Sequence, residues 1–167
     1  MPCAFRTPAV MTIHADLVAS RIQYLAGKTN EPYVLAGDFN ILPGSPQYHL
    51  LTTGTMQMDD GDEIEGHTSA KNIPEPKHGM EWKSNMEGMR SAYLEKNGNE
   101  PEFTNNAHNG ALDADPFIGT LDYIFLSDEW KVREVNDLPT MKSVEGRVYP
   151  DDDEPSDHLL VAATIEL

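Results

Sequence analysis

Apolar positions recur along this chain with two different periods, and the places where the period changes divide it into elements. From Thr7-Pro8 to Gly27 the spacing is helical, and Val10, Ile13, Leu17, Val18, Ile22 and Leu25 form one stripe. Thr7 suits an N-cap, Pro8 the first helical position and Gly27 the C-terminal cap, so the stripe predicts a helix that covers a sheet. His14 falls within the stripe, where it reads as a packing-face or edge residue rather than a ligand. Behind Glu31-Pro32 comes the short apolar run Val34-Leu-Ala-Gly-Asp-Phe-Asn40, which reads as a buried strand. Its polar end delivers one carboxylate and one carboxamide to the rim of a sheet, where sites gather. Ser45-Pro46 opens a short helix through Leu51 that ends near Gly54.

The following stretch, residues 55–89, is acidic and broken by Gly61, Gly66, Pro74, Pro76 and Gly79, the pattern of a solvated loop. Asp59-Asp-Gly-Asp-Glu63 lacks the spacing of oxygen donors that a calcium-binding loop needs. Residues 90–96 read as a short helix or turn, Asn97-Gly98 as a turn, Glu102-Phe-Thr104 as a short strand, and residues 106–115 as a Gly/Asn/Asp loop. Leu121-Asp-Tyr-Ile-Phe-Leu126 is a strand with an acid near its start, residues 131–138 alternate enough for an edge strand, and Leu159-Leu-Val-Ala-Ala-Thr-Ile165 is a final strand. Ser156-Asp-His158 stands immediately before that last strand. Asp151-Asp-Asp-Glu154 reads as a solvated acidic loop, with a second metal site as the alternative.

Three strands thus carry chemistry-bearing groups at their ends: Asp38 and Asn40, then Asp122, then Asp157 and His158. An acid beside a strand is commonly a cap or turn residue, and each segment alone would read that way. Should the three strands be neighbours, the five residues converge. Hard carboxylate oxygens, a His–Asp pair and an amide suit metal-assisted attack of water on a phosphate.

Composition changes this picture in two respects. The 167 residues make one domain and, at 39% hydrophobic, can bury a core. The formal charge, 12 basic against 28 acidic residues or −16, opposes capture of a polyanion by long-range attraction, so any nucleic-acid contact must be local. The one cysteine, Cys3, excludes an internal disulfide. No signal-peptide pattern and no apolar run of spanning length occurs, and the expectation is a soluble, intracellular chain without a membrane partner. His67, His78 and His108 show no metal-ligand spacing and read as surface residues.

The order Gly37-Asp-Phe-Asn40, Leu121-Asp-Tyr-Ile-Phe125, Ser156-Asp-His158 resembles the endonuclease/exonuclease/phosphatase superfamily, whose fold is that of DNase I. Arg90-Ser-Ala-Tyr93, Asn97-Gly-Asn-Glu-Pro-Glu-Phe-Thr-Asn105 and Phe117-Ile-Gly-Thr-Leu-Asp-Tyr-Ile-Phe125 are similar to its poly(A)-deadenylase, nocturnin and 2′-phosphodiesterase branch. The resemblance implies an α/β fold: a two-sheet sandwich flanked by helices, of which residues 1–167 form the C-terminal part. Related proteins place a catalytic His, an Asn and a metal-ligand Glu in segments upstream of the first helix, so the expectation is that the N-terminal part of the domain is missing here.

The same resemblance implies roles. Asp38 binds or orients the attacking water, Asn40 holds a non-bridging phosphate oxygen, and Asp157 is a metal ligand together with Asp38. His158 acts as general base or transition-state stabiliser, and Asp122 fixes its tautomer. Asn105 and Phe117 match positions that hydrogen-bond and stack on a terminal base, an ordinary core aromatic being the other reading of Phe117. His78 and Trp82 are weaker candidates for cleft contact. The cofactor implied is Mg²⁺, with Mn²⁺ as its substitute. The reaction implied is phosphodiester hydrolysis at the 3′ end of RNA. The alternatives are a phosphatase or phosphodiesterase acting on a small phosphorylated metabolite, and a catalytically incomplete binding module.

Overall fold

The computed structural model describes residues 8–55, 87–108 and 116–167. Thr7, Cys3, His67, His78, Trp82 and the acidic run at 59–63 lie outside these residues. Helix α1 (Pro8–Thr29) leads through a turn into strand β1 (Val34–Asp38), and helix α2 (Pro46–Thr53) follows. After residue 87 come β2 (Arg90–Ser91), α3 (Ala92–Asn97) and β3 (Asn105–Ala107). Strands β4 (Phe117–Gly119), β5 (Asp122–Leu126) and β6 (Lys131–Val135), a 3₁₀ turn (Met141–Val144) and β7 (Ala163–Glu166) complete the described chain.

Among the described residues, the strands β1 to β7 pair antiparallel. The largest sheet has the order β1-β5-β2, and β3-β4 and β6-β7 form two further two-stranded sheets. The architecture is therefore mixed α/β with antiparallel sheets, as the sequence predicts.

The predicted stripe of α1 is not the face it buries. Met11, Thr12, Ala15 and Ala19 are buried, with Ile22 packed against them, whereas Val10, Ile13, Leu25 and above all Leu17, at 59%, are exposed. Small side chains bring the helix axis close to α2, and the Gln47 amide reaches across to donate to Thr12 Oγ1 at 3.0 Å. Size at the contact, rather than hydrophobicity summed along a face, selects the buried side. His14 is half-buried, as expected of an edge residue.

Nor does Gly27 close the helix. It continues to Thr29, and Asn30, at φ 53°, takes the left-handed position while its N–H donates to Ala26 O. Asparagine tolerates that conformation, which lets the helix run past the glycine. Helix α2 follows its local signals closely. The Ser45 hydroxyl accepts from Tyr48 N at 3.2 Å, and Gly54 closes the helix in the left-handed conformation with its N–H on Leu50 O.

One core lies between the three-stranded sheet and helices α1 and α2, and its centre is aromatic. Tyr123 and Phe125 stack with centroids 5.2 Å apart, and Phe39 stands edge-on to Phe125 at 5.1 Å. A second, smaller core gathers Phe103, Val144, Tyr149 and Leu159 beside β3 and β4.

Candidate active site

The site is built where the two cores meet the rim of the sheet. In the Gly37-Asp-Phe-Asn40 turn, Gly37 has φ 145°, a conformation that side chains rarely adopt, and Phe39 then buries itself in the aromatic core. Phe39 N–H donates to Leu121 O at 2.8 Å. Pinning Phe39 inward holds its two neighbours at the rim. Asp38 Oδ1 accepts from Asn40 N and its Oδ2 accepts from the Asn40 carboxamide, both at 2.8 Å, while Asn40 itself takes φ 53°. Four consecutive residue types are thus each required by a separate local demand.

Strand register then places Asp38 directly opposite Asp122. Like charges across an antiparallel pair repel, so the sequence accepts a local cost at this rim. His158 relieves part of it, because its Nδ1 lies 2.8 Å from Asp122 Oδ2. Burial pushes the imidazole pKa down, yet the hydrogen bond to Asp122 and the charges of Asp122, Asp38 and Asp157 outweigh it, and the net shift is upward. The dyad is sheltered but reachable, with side-chain exposures of 30% for His158 and 13% for Asp122.

His158 does not arrive on a strand of that sheet. The predicted strand starting at Leu159 begins only at Ala163, and β7 pairs with β6. Instead His158 forms a single bridge with Asn105 of β3, flanked by hydrogen bonds from Asn106 N to Asp157 O and from Leu159 N to Thr104 O. Those bonds spend the backbone of residues 157–159 on β3, and the ladder cannot begin until the chain has left it.

The predicted strand at Glu102-Phe-Thr104 is likewise displaced to Asn105–Ala107, which also takes Asn106 and Ala107 out of the predicted loop. Phe103 and Thr104 instead bury their side chains completely.

Asn105 is buried, and its bridge to His158 sets the two side chains on one face. Asn105 also pairs with Gly119, and Phe117 lies two residues along the same strand, its ring 3.0 Å from where a Cβ on Gly119 would stand. Phe117, half-buried, and Asn105 therefore flank the dyad. The structure brings Asp38, Asn40, Asp122, Asp157, His158, Asn105 and Phe117 into one region. His108 is exposed.

Sequence reasoning passed over two contributors. The sequence marks Thr104 only as a strand residue, yet its hydroxyl lies 2.7 Å from Asp122 Oδ2. Arg147 pairs with Asp151 and Asp153 and so ties down the acidic loop that leads to Asp157. Asp151 also accepts from the N–H groups of Asp153 and Glu154, so the loop is less freely solvated than its composition suggests. The sequence shows a threonine beside the motif asparagine, but neither its burial nor its partner.

Among the described residues, no group of three or more His, Cys, Asp and Glu side chains is arranged to hold a metal ion, and no helix is long and apolar enough to cross a membrane. Asp38 and Asp157 provide hard oxygen donors of the right chemistry, but the described residues do not by themselves close a metal centre.

The profile of the Endonuclease/Exonuclease/phosphatase family matches residues 3–158. Carbon catabolite repressor protein 4 homolog 4 of Arabidopsis thaliana is 32% identical over 138 residues, covering 80% of this chain and 27% of the plant protein. The 2′,5′-phosphodiesterase 12 of Mus musculus is 26% identical over 137 residues, covering 81% and 19% respectively. The crystal structure of ANGEL2, a 2′,3′-cyclic phosphatase, superposes with a TM-score of 0.65 at 23% identity over 99% of this chain and 54% of that one. Its complex with adenosine-2′,3′-vanadate gives 0.63 at 22%. The chain thus spans about a quarter or less of these curated relatives and about half of the solved neighbour. The likeness to ANGEL2 shows a DNase I-like fold.

Proposed function

Because the chain belongs to the endonuclease/exonuclease/phosphatase family, we propose that it carries the catalytic rim of a phosphoesterase that hydrolyses phosphodiesters at the 3′ end of RNA. The observation that supports this most is the 2.8 Å Asp122–His158 dyad with Asp38 in register beside it and Asp157 next in sequence. In this reading a water oxygen forms the new bond to phosphorus as the bond to the leaving ester oxygen breaks. The water's proton passes to the rim, and a proton is returned to the leaving oxygen. Asp38 orients the water, and Asn40 faces the non-bridging oxygen on which charge develops. His158 handles the proton through Nε2, because Nδ1 is taken by Asp122. Asn105 and Phe117 meet the terminal nucleotide.

A divalent ion, Mg²⁺ or Mn²⁺, is part of this proposal. It would supply charge neutralisation at the phosphate, Asp38 and Asp157 being the candidate ligands here, with further donors from outside the described residues. The test is hydrolysis of a 5′-labelled oligoadenylate by the purified chain, with Mg²⁺ and with EDTA. A Mg²⁺-dependent product ladder is expected, with Asp157→Ala and His158→Ala each slowing turnover at least ~10³-fold at unchanged circular dichroism. Wild-type-like turnover in either variant refutes the assignment.

A second reading, a smaller phosphoester such as a nucleotide or a cyclic phosphate end, is favoured by the charge of −16 and by the engagement of Arg147 with Asp151 and Asp153. The 2′,3′-cyclic phosphatase likeness is compatible with it. Comparing mononucleotide phosphates and 2′,3′-cyclic ends with the oligomer decides between the two.

A further inference from the structure

Thr104 is completely buried, and its hydroxyl oxygen makes three hydrogen bonds. It accepts from Leu121 N at 2.9 Å and from Asp122 N at 3.0 Å, and it donates to Asp122 Oδ2 at 2.7 Å. A hydroxyl has one proton and two lone pairs. Both lone pairs are occupied by backbone donors, so the single proton goes to the Asp122 oxygen. That same Oδ2 faces His158 Nδ1 at 2.8 Å. A carboxylate oxygen has no proton to give, so Oδ2 accepts in both contacts and the imidazole brings its proton on Nδ1.

We propose that Thr104 is a positioning residue: through this one-way chain of donors it holds the Asp122 side chain with an acceptor oxygen facing His158 Nδ1, so that the ring carries its proton on Nδ1 and turns Nε2 to the reacting phosphate. Asp122 is then more than a counter-charge, because its orientation is dictated from behind. The β-branch of threonine contributes by restricting χ1, so the hydroxyl cannot swing away. Backbone bonds hold the residue from both sides, Thr104 N to Gly119 O and Leu159 N to Thr104 O, which couples β4 and the His158 segment to the same hub. The consequence for turnover rests on the phosphoesterase reading; the geometry of the imidazole does not.

The decisive variant is Asp122→Asn, which keeps an acceptor for Thr104 and the shape of the site. An unrestrained amide would turn its NH₂ toward His158 Nδ1 and force the ring proton onto Nε2. With Thr104 in place the amide oxygen must remain at the Oδ2 position, so the ring keeps its proton on Nδ1. The readout is the ¹⁵N spectrum of the His158 ring in the full chain at alkaline pH, assigned by its loss in His158→Ala. We expect Nδ1–H in the parent chain, in Asp122→Asn and in Thr104→Ser with Asp122→Asn, and a mixture of ring forms in Thr104→Val with Asp122→Asn. A shift of Asp122→Asn alone to Nε2–H overturns the proposal, whether or not the double variant folds. In turnover, Thr104→Ser stays within about threefold of the parent while Thr104→Val loses about tenfold or more in kcat with little change in KM. A parent chain without turnover on any phosphoester counts against the phosphoesterase reading and leaves the ring spectrum to decide Thr104.

Discussion

Single residues at this site are placed by demands that compete. Asp38 and Asp122 face each other across a strand pair, and the rim tolerates them because His158 and the Thr104 hydroxyl both engage Asp122 Oδ2 while the two Asn40 amides take one Asp38 oxygen each. A titratable group outside the site carries a cost of another kind. Glu100 is held against the Tyr48 hydroxyl at 2.6 Å, and burial raises its pKa more than the hydroxyls of Ser91 and Tyr48 lower it. A raised folded-state pKa means that the folded chain binds this proton more tightly than the unfolded one. Its contribution is fully present below the unfolded value and is lost as pH rises through the folded one. Glu100→Gln keeps an acceptor for Tyr48 and removes that loss. The variant should match the parent in urea midpoint at acid pH and exceed it at neutral pH, by about 1.4 kcal/mol for each unit of upward shift. A parent chain that gains on the variant as pH rises would contradict the sign.

At the scale of elements, the join between α2 and β2 depends on close backbone approach. Met89 N donates to Leu51 O at 2.8 Å, and a Cβ on Gly88 would stand 2.0 Å from Thr52 O and 2.8 Å from Thr53 Cα. These are backbone atoms of a helix end, with no flexible side chain to give way. Gly88→Ala should therefore cost about 3 kcal/mol or more in urea denaturation, against the ~1 kcal/mol typical of an average substitution. A loss under 1 kcal/mol would mean that the helix end moves freely. Because β2 is also a neighbour of β5, which carries Asp122, the same variant reports whether the site tolerates a shifted sheet.

Local signals at this scale proved reliable where the hydrogen bonds are local. Ser45 and Gly54 bound α2 as their types predict. The longer helix begins at Pro8 as predicted, but its C-terminal end and its buried face were set by Asn30 and by Ala15 and Ala19 rather than by Gly27 and the larger apolar residues. An isolated sequence shows how apolar each face is, but not how near a neighbouring backbone will come.

Over the whole molecule, net charge is the property most exposed to experiment. A basic nuclease loses affinity for long nucleic acid as salt rises, because counterions are released on binding. This chain carries −16, so repulsion from a polyanion should be screened by added salt instead. On the phosphoesterase reading, KM for a twenty-residue oligoadenylate should stay level or fall about two- to fivefold between 50 and 200 mM monovalent salt, while KM for a dinucleotide changes less. A steep rise of KM with salt for the longer substrate would show that cationic contacts dominate.

The sequence by itself determined which groups are available and the family that uses them in this order: Gly37-Asp-Phe-Asn40, Leu121-Asp-Tyr-Ile-Phe125 and Ser156-Asp-His158 each encode a short local conformation, and local conformation is what neighbouring residues can specify. Only the tertiary structure decided that β5 lies between β1 and β2, that His158 enters through Asn105 rather than along a strand of that sheet, and that a threonine 18 residues before Asp122 holds its carboxylate. Those outcomes depend on backbone hydrogen bonds and close contacts between segments far apart in the chain. Such contacts are fixed by the path of the whole fold and leave no period or motif in any one segment.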